Sequence, residues 1–293
     1  MKQAKITRIA TGIPGVDRLL EGGLPFGNTV LLSGACGTGK STFAMQFLYN
    51  GAKFYNEPGV YITLEEDPDD LITSMELFGW DISDLIKKKK MLIIKPDVYK
   101  FDSIKRIIAD AIDKIEAKRL VVDSFSVMLT YFNDPYEIRN GLVQLDREIK
   151  KMNCTTMVIS DIKDVSDTYS TTGVEEFIVD GVMVLYIIKG KDIASPSRRA
   201  LFVRKMRATH HPLLYFPFDI HAGGVTVSSK GMDGRALQAA KAPARHASHQ
   251  LVHKHQKKKA KPKAKAKPIQ DRHTIDLQSL KTKGHHTWKW QHL

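Results

Sequence analysis

Residues 31–42 read LLSGACGTGKST: an apolar run, then three glycines within six positions, then a lysine and two hydroxyls. Gly34, Ala35, Cys36, Gly37, Thr38, Gly39, Lys40 and Ser41 satisfy the spacing G-x-x-x-x-G-K-[ST], in which bare backbone lets successive N–H groups curl around phosphate oxygens. In that chemistry Lys40 neutralises the outer phosphates and Ser41 ligates magnesium. An ordinary glycine turn is the competing reading, and the flanks argue against it. NTVLL before the loop has the composition of a buried strand, and STFAMQFLYNGAKFY after it repeats apolar residues at helical spacing. A helix there would point the positive end of its dipole at the anion. The residues therefore imply a nucleoside triphosphate with magnesium.

Three further stretches set polar groups at the end of apolar runs. In RLVVDS, Asp123 follows the loop by about eighty residues, where a carboxylate can hold magnesium through water. In VYITLEEDPDD, Glu65 and Glu66 suit a general base that orients an attacking water, whereas Asp67, Asp69 and Asp70 read as the acidic first turn of a helix. In VRKMRATHH, strand alternation aims Lys205 and Arg207 to one side and Met206 to the other. Two cations so spaced could clamp a phosphate, but the residues by themselves favour a solvated strand face. His210, His211 and His221 have no metal-ligand spacing.

The elements that must position these groups alternate along the chain. TVLLSG, GVYITLE, MLIIKP, RLVVDS, CTTMVIS and VMVLYII read as strands, with helical stretches near 40–56, 68–80, 102–117 and 135–151. Such alternation predicts an α/β fold, a mostly parallel sheet covered by helices on both faces, with ligands beyond the carboxyl ends of the strands. RRALFVRKMRA followed by PLLYFPFDIHAGGVTV reads as a hairpin with a Gly-Gly turn, closing an antiparallel edge.

With 293 residues and 42% hydrophobic content, the chain can bury one substantial core. No apolar run approaches 18 residues and the first ten residues lack the apolar centre of a secretory signal, so a soluble, cytoplasmic protein is expected. Cys36 and Cys154 offer neither a disulfide framework nor a metal spacing, and both read as small packing residues. The charge of +13 is not spread evenly. Residues 231–293 hold 12 Lys and 3 Arg against 3 Asp, a balance of +12, which leaves +1 for the rest. The expected division is a nearly neutral body, 1–230, and a basic Lys/Ala/Pro/His-rich tail, 231–293, with too little apolar surface to fold.

Taken together, TGIPGVDRLLEGGLPFGNTVLLSGACGTGKST, YITLEEDPDDLITSMELFGWD, LVVDS, TTGVEEFIVDGVMVL and RKMRATHHPLLYFPFDIHAGGVTV resemble one domain of KaiC and its KaiC-like relatives in the RecA/RadA group of ATPases. The resemblance covers roughly residues 7–228. It implies a RecA-like P-loop fold, ATP and Mg2+ as ligands, and slow hydrolysis of ATP to ADP and phosphate. Gly37 to Thr42 match the phosphate-binding stretch, Glu65 and Glu66 the catalytic glutamates, and Asp123 the magnesium-side aspartate. Lys205, Met206, Arg207, Thr209 and His211 match positions that reach the nucleotide of a neighbouring subunit in a hexameric ring, which reverses the solvated-face reading of Lys205 and Arg207. Where one half of the clock protein carries a Ser-Thr phosphorylation pair this chain reads Val174-Glu175-Glu176-Phe177, so autokinase activity is not expected, although Ser170, Thr171 and Thr172 lie nearby. A Thr-Asp pair that touches the nucleotide falls at His221-Ala222, so base and ribose contacts do not carry over.

Two functions fit this resemblance. One is an ATP-hydrolysing oligomeric switch for a protein partner. The other is a DNA-dependent ATPase of recombination or repair, against which the net acidic loop 162–173 counts. The tail is a separate matter. Lysines 257–267, spaced by Ala and Pro, read either as a plain solvated tail or as a site for polyanions such as nucleic acid, and Trp288 and Trp290 could stack on unpaired bases or dock on a partner. Removing the chain beyond about Lys230 is expected to abolish binding to DNA or RNA that weakens steeply with salt while leaving ATP hydrolysis in place. Equal nucleic-acid binding by the two chains, measured by fluorescence anisotropy across a salt series, would refute the assignment.

Overall fold

The computed structural model describes residues 6–97, 100–130, 132, 134–163, 168–190 and 195–234. Of the two units into which the chain divides, Met1–Pro243 and Ala244–Leu293, the first alone contains described residues. The basic tail expected from residue 231 lies, past Gly234, outside them.

A short pair, β1 (Arg8–Ile9) and β2 (Leu24–Pro25), flanks α1 (Val16–Leu19) and leads into β3 (Thr29–Gly34). After the loop come α2 (Lys40–Phe54), β4 (Gly59–Thr63), α3 (Pro68–Glu76), α4 (Ile82–Lys87), β5 (Met91–Ile94), α5 (Phe101–Ile115) and β6 (Arg119–Asp123). Then follow α6 (Phe125–Leu129), α7 (Pro135–Lys151), β7 (Thr155–Asp161), α8 (Glu175–Ile178) and β8 (Gly181–Ile188). Three strands close the body: β9 (Arg198–Met206), β10 (Tyr215–His221) and β11 (Gly224–Val227).

Nine strands form one sheet in the order β11-β10-β9-β8-β3-β7-β6-β4-β5. From β8 to β5 every neighbour is parallel, and β9, β10 and β11 add antiparallel pairs at one side. The parallel strands are apolar on both sides because both faces are covered. On β3, Val30 and Leu32 pack with Phe43, Phe47 and Leu71 from α2 and α3, while Leu31 packs with Ile108, Phe125 and Leu142 from α5, α6 and α7. The mostly parallel, doubly covered sheet with its antiparallel edge is the architecture the alternation implied. No helix among the described residues is long and apolar enough to cross a membrane.

Several details depart from the expected boundaries for local reasons. The helix read at 68–80 stops at Glu76, because Gly79 at φ +78° turns the chain into α4, itself capped by Asp81 on the Asp84 N–H. Asp67 caps α3 through the Asp69 N–H, as the acidic first turn suggested. The turn between β10 and β11 pairs His221 with Gly224, so it consists of Ala222 and Gly223 and not of the two glycines. Gly224 sits at φ +99° against Trp80, where a Cβ would lie 2.4 Å from the indole. Tyr215 and Met232 pair through both backbone groups, so a truncation that spares this bridge falls beyond Met232 and not at Lys230. Cys154 is buried, with its thiol pushed up to about 12 by burial, but Cys36 is exposed in the phosphate loop and is not a packing residue.

One fully buried side chain, Arg119 at the start of β6, ties the amino-terminal segment to α2 and β6. Its Nε donates to Glu57 Oε2 at 2.8 Å, Nη1 to the Phe47 carbonyl at 2.7 Å, and Nη2 to the Ala10 carbonyl at 2.7 Å. The guanidinium lies over the Phe47 and Tyr55 rings, and Gly51 leaves it room, since a Cβ there would be 2.3 Å from Nε. Removing one partner of a buried ion pair leaves the other desolvated and alone. Arg119→Ala is therefore expected to cost about 3 kcal/mol and to lower Tm by roughly 6–12 °C in thermal denaturation. A change under 2 °C, on the order of 0.5 kcal/mol, would show that these bonds contribute nothing net.

Candidate active site

Parallel pairing sets the carboxyl ends of β3, β7, β6 and β4 along one rim, where β7, β6 and β4 end in Asp161, Asp123 and Thr63 and β3 runs into the glycine turn. At the end of β3 the chain turns through Gly37 (φ +76°) and Gly39 (φ +98°), both in the left-handed region that favours glycine. No atom lies within 4 Å of where a Gly37 Cβ would stand. The Ala35 carbonyl holds the turn together, accepting from the Thr38 N–H, the Thr38 hydroxyl at 2.8 Å and Lys40 Nζ at 3.1 Å. Thr38 is buried, Gly39 precedes the first turn of α2, and Ser41 and Thr42 lie half-buried in that turn.

Lys40 also forms an ion pair of 2.9 Å with Asp161 at the end of β7. Ser41 donates to Asp123 Oδ2 at 2.7 Å, so two residues 82 positions apart meet. Tyr61 donates to the same Oδ2 at 2.5 Å. Burial raises the Asp123 carboxyl above its ordinary range, opposed by these two hydrogen bonds.

Glu65 and Glu66 follow β4 on the same rim. The Leu64 N–H bonds to the Asp123 carbonyl at 2.6 Å, Thr63 Oγ1 donates to the Glu66 carbonyl at 2.8 Å, and Lys95 Nζ donates to the Glu65 carbonyl at 2.8 Å. Both carboxylates remain exposed. Each is raised above the usual range, by partial desolvation first, then by Asp161 and Asp123 for Glu65 and by Asp123 and Asp70 for Glu66. Four carboxylates along a rim with one loop lysine form a site short of positive charge. That suits a divalent cation and a strongly anionic ligand bound together. The oxygen donors Ser41 and Asp123 are of the kind magnesium takes, and the open glycine turn leaves backbone N–H groups for phosphate oxygens.

Lys205 and Arg207 stand elsewhere. Because β9 runs antiparallel to β8, its carboxyl end lies at the opposite rim, beside Thr29 and Gly181. The five-residue rise of β3 separates the two rims by about 16 Å. There Lys205 Nζ donates to the Val179 and Glu176 carbonyls at 2.6 and 3.1 Å, and Arg207 Nη1 to Asp180 Oδ1 at 2.8 Å. Both cations thus meet the same segment, and Met206 turns inward to pack against Gly181, its side chain buried in the core. Asp180 Oδ2 accepts from the Thr29 N–H at 3.1 Å and pairs with Lys150 at 2.8 Å. Thr209 accepts from Arg8 at 2.8 Å, and His211 is half-buried with its imidazole kept from charging by desolvation.

Three participants went unassigned in the sequence: Tyr61, Asp161 and Arg199. Asp161 ends an apolar strand as Asp123 does, and that parallel was its signal. Arg199 Nη2 reaches the Gly37 carbonyl at 3.4 Å from the other end of β9, with nothing in the local pattern to mark it. Ser170 and Thr172 donate to Glu176 and to Glu175 (2.6 Å), while Thr171 bridges Ser126 and Ser160.

A phosphate loop at the head of a parallel strand, an acidic rim and a covered sheet with an antiparallel edge define a P-loop protein of RecA-like fold. The family profile described as "ATPase: KaiC" matches residues 9–232, and the chain belongs to that KaiC-like family. It is 38% identical to the UPF0273 protein of Methanocaldococcus jannaschii, over 75% of this chain and 96% of that one. It is 37% identical to the circadian clock oscillator protein KaiC of Parathermosynechococcus lividus, over 77% of this chain but 43% of that one, so it spans less than half of the clock protein. A crystal structure of a KaiC-like protein from Pyrococcus horikoshii superposes with a TM-score of 0.70 at 40% identity, covering 76% of this chain and all of that one.

With a phosphate bound at the glycine turn, the Lys40–Asp161 pair would set an anion of the chain in competition with it for the same ammonium. Asp161→Asn removes that competitor and is expected to tighten nucleotide binding about fivefold at low salt, an effect of about 1 kcal/mol for a half-exposed pair. Titration with a fluorescent nucleotide analogue reads it, and unchanged or weaker affinity would mean that Asp161 does not oppose the ligand.

Proposed function

We propose that this chain is a soluble, cytoplasmic ATPase that binds ATP with Mg2+ at residues 34–42 and acts as a nucleotide-dependent oligomeric switch on a protein partner. The observation that carries the reading is the single rim that joins Lys40, Ser41, Asp123, Glu65 and Glu66. Lys40 and the backbone of Gly37, Thr38 and Gly39 hold the phosphates. Ser41 and Asp123 hold Mg2+, which when bound draws charge from the phosphate oxygens. Glu66 orients a water and takes its proton as the water oxygen bonds to the terminal phosphorus and the bond to the bridging oxygen breaks. Partial desolvation and the neighbouring charges of Asp123 and Asp70 keep Glu66 basic, and Glu65 stands beside it as the alternative base.

Lys205 and Arg207 belong to the same reaction in a second copy. They lie too far from their own loop to touch its phosphates, and both stand on the opposite rim with Thr209 and His211, Arg207 exposed and Lys205 half-buried. A head-to-tail neighbour, and by resemblance a ring of six, supplies them to the loop together with the Met206 backbone. The clock proteins among the relatives are named as oscillators, which favours a switch over a motor. Engagement of the Ser170, Thr171 and Thr172 hydroxyls inside the chain fits a protein that hydrolyses ATP without phosphorylating that loop.

Two variants test this together. Lys40→Ala and Arg207→Ala are each expected to lose at least about 90% of ATP turnover, and their mixture to recover part of it, because some boundaries then hold an intact loop opposite intact cations. Glu66→Gln is expected to bind ATP normally, to turn over about a hundredfold more slowly, and to lose the acid-side fall in rate. That fall should lie above the range of an ordinary glutamate, since a base must be unprotonated and Glu66 is shifted upward. An active monomer by sedimentation, or parental turnover in both Glu65→Gln and Glu66→Gln, would overturn the reading.

A further inference from the structure

Tyr61 is fully buried on β4, its ring on the face of the sheet that packs against α2, among Phe43, Phe47 and Val121. A phenylalanine would fill the same space. The one polar atom that the hydroxyl adds is spent on Asp123 Oδ2, at 2.5 Å. Ser41 Oγ donates to that same oxygen at 2.7 Å. Two donors converging on one carboxylate oxygen fix the plane of the carboxylate, and the side-chain bonds that Asp123 makes among the described residues both fall on Oδ2. Oδ1 is left to accept from a cation-bound water. With its proton committed to Oδ2, Ser41 has its lone pairs directed away from Asp123.

We propose that Tyr61 is a positioning residue for the divalent cation, acting through Asp123 to orient both Asp123 and Ser41, an inference that rests on the Mg2+-nucleotide reading of the site. A buried hydroxyl on an apolar face needs a partner, and the cheaper choice for packing alone is phenylalanine. Residues that hold ligands in place commonly change metal affinity by about 10–100-fold when removed. The effect of Tyr61 is confined to the cation. It touches neither the glycine turn nor Lys40, so phosphate binding without metal does not depend on it.

The full chain and Tyr61→Phe are compared by titrating Mg2+ into protein with a fluorescent ADP analogue, and by nucleotide affinity in EDTA. The Mg2+ midpoint is expected to rise about tenfold in Tyr61→Phe, with equal affinity in EDTA. An unmoved midpoint overturns the proposal, as does a loss of affinity equal with and without Mg2+, which marks a packing role. In an Asp123→Asn background Tyr61→Phe should add nothing, and a further shift there shows that Tyr61 does not act through Asp123. If Tyr61→Phe fails to fold, Asp123→Asn alone decides, since a midpoint no higher than the parent's removes the path through which Tyr61 acts. A parent chain whose nucleotide binding ignores Mg2+ overturns the site reading itself, and this proposal with it.

Discussion

Parallel pairing of β3 with β7 on one side and β8 on the other is the constraint from which the rest follows. A parallel strand can return only by a crossover, so each strand from β3 to β8 starts at one rim and ends at the other, and loops that follow strands gather in one place. The phosphate loop, the glutamate pair, Asp123 and Asp161 need no contact of their own to be assembled. They are delivered to the same rim by the sheet, and hydrogen bonds such as Leu64 N–H to the Asp123 carbonyl then set the spacing. The order β3-β7-β6-β4 puts Asp161 and Asp123 between the loop lysine and the glutamates.

The same constraint makes the opposite rim a different chemical place. There Asp180 is held below the ordinary carboxylate range even though burial works against it, because Lys150, the Thr29 N–H and Arg207 all bond to the charged form. Lys205 is pulled the other way, lowered by desolvation and by Arg207. One carboxylate therefore anchors α7, β3 and the end of β9 at once, and it fixes where the two cations stand.

Much of this was legible in the residues because periodicity reports burial. TVLLSG coincides with β3, the stretches 40–56 and 135–151 contain α2 and α7, and α5 starts one residue before the expected 102–117. Gly-rich spacing marked the loop, since phosphate binding restricts which residues fit each position. Arg119 was illegible for the opposite reason. Within RLVVDS it reads as a strand residue with a long stem, and its importance lies in Glu57, Phe47 and Ala10, three partners from separate segments. Arg207 reads as a solvated residue, because alternation gives the side a residue faces and not the rim on which a strand ends. Tyr61 was hidden by its own composition, as a tyrosine in an apolar strand reads as core and its hydroxyl leaves no periodic mark.

The placement of the loop and the Lys205–Arg207 pair on opposite rims bears on counting. Under the proposed arrangement each copy is polar, with an acceptor end and a donor end, and such a unit joins others head to tail. A closed ring then holds as many complete sites as copies. An open stack of any length always carries one loop without cations and one cation pair without a loop. Nucleotide stoichiometry thus reports closure directly, and for short stacks the shortfall is large: a pair of copies completes half its sites. Cooperativity in such a protein is a property of chain topology before any change of shape is invoked, because the final joining event completes a site without recruiting a new copy.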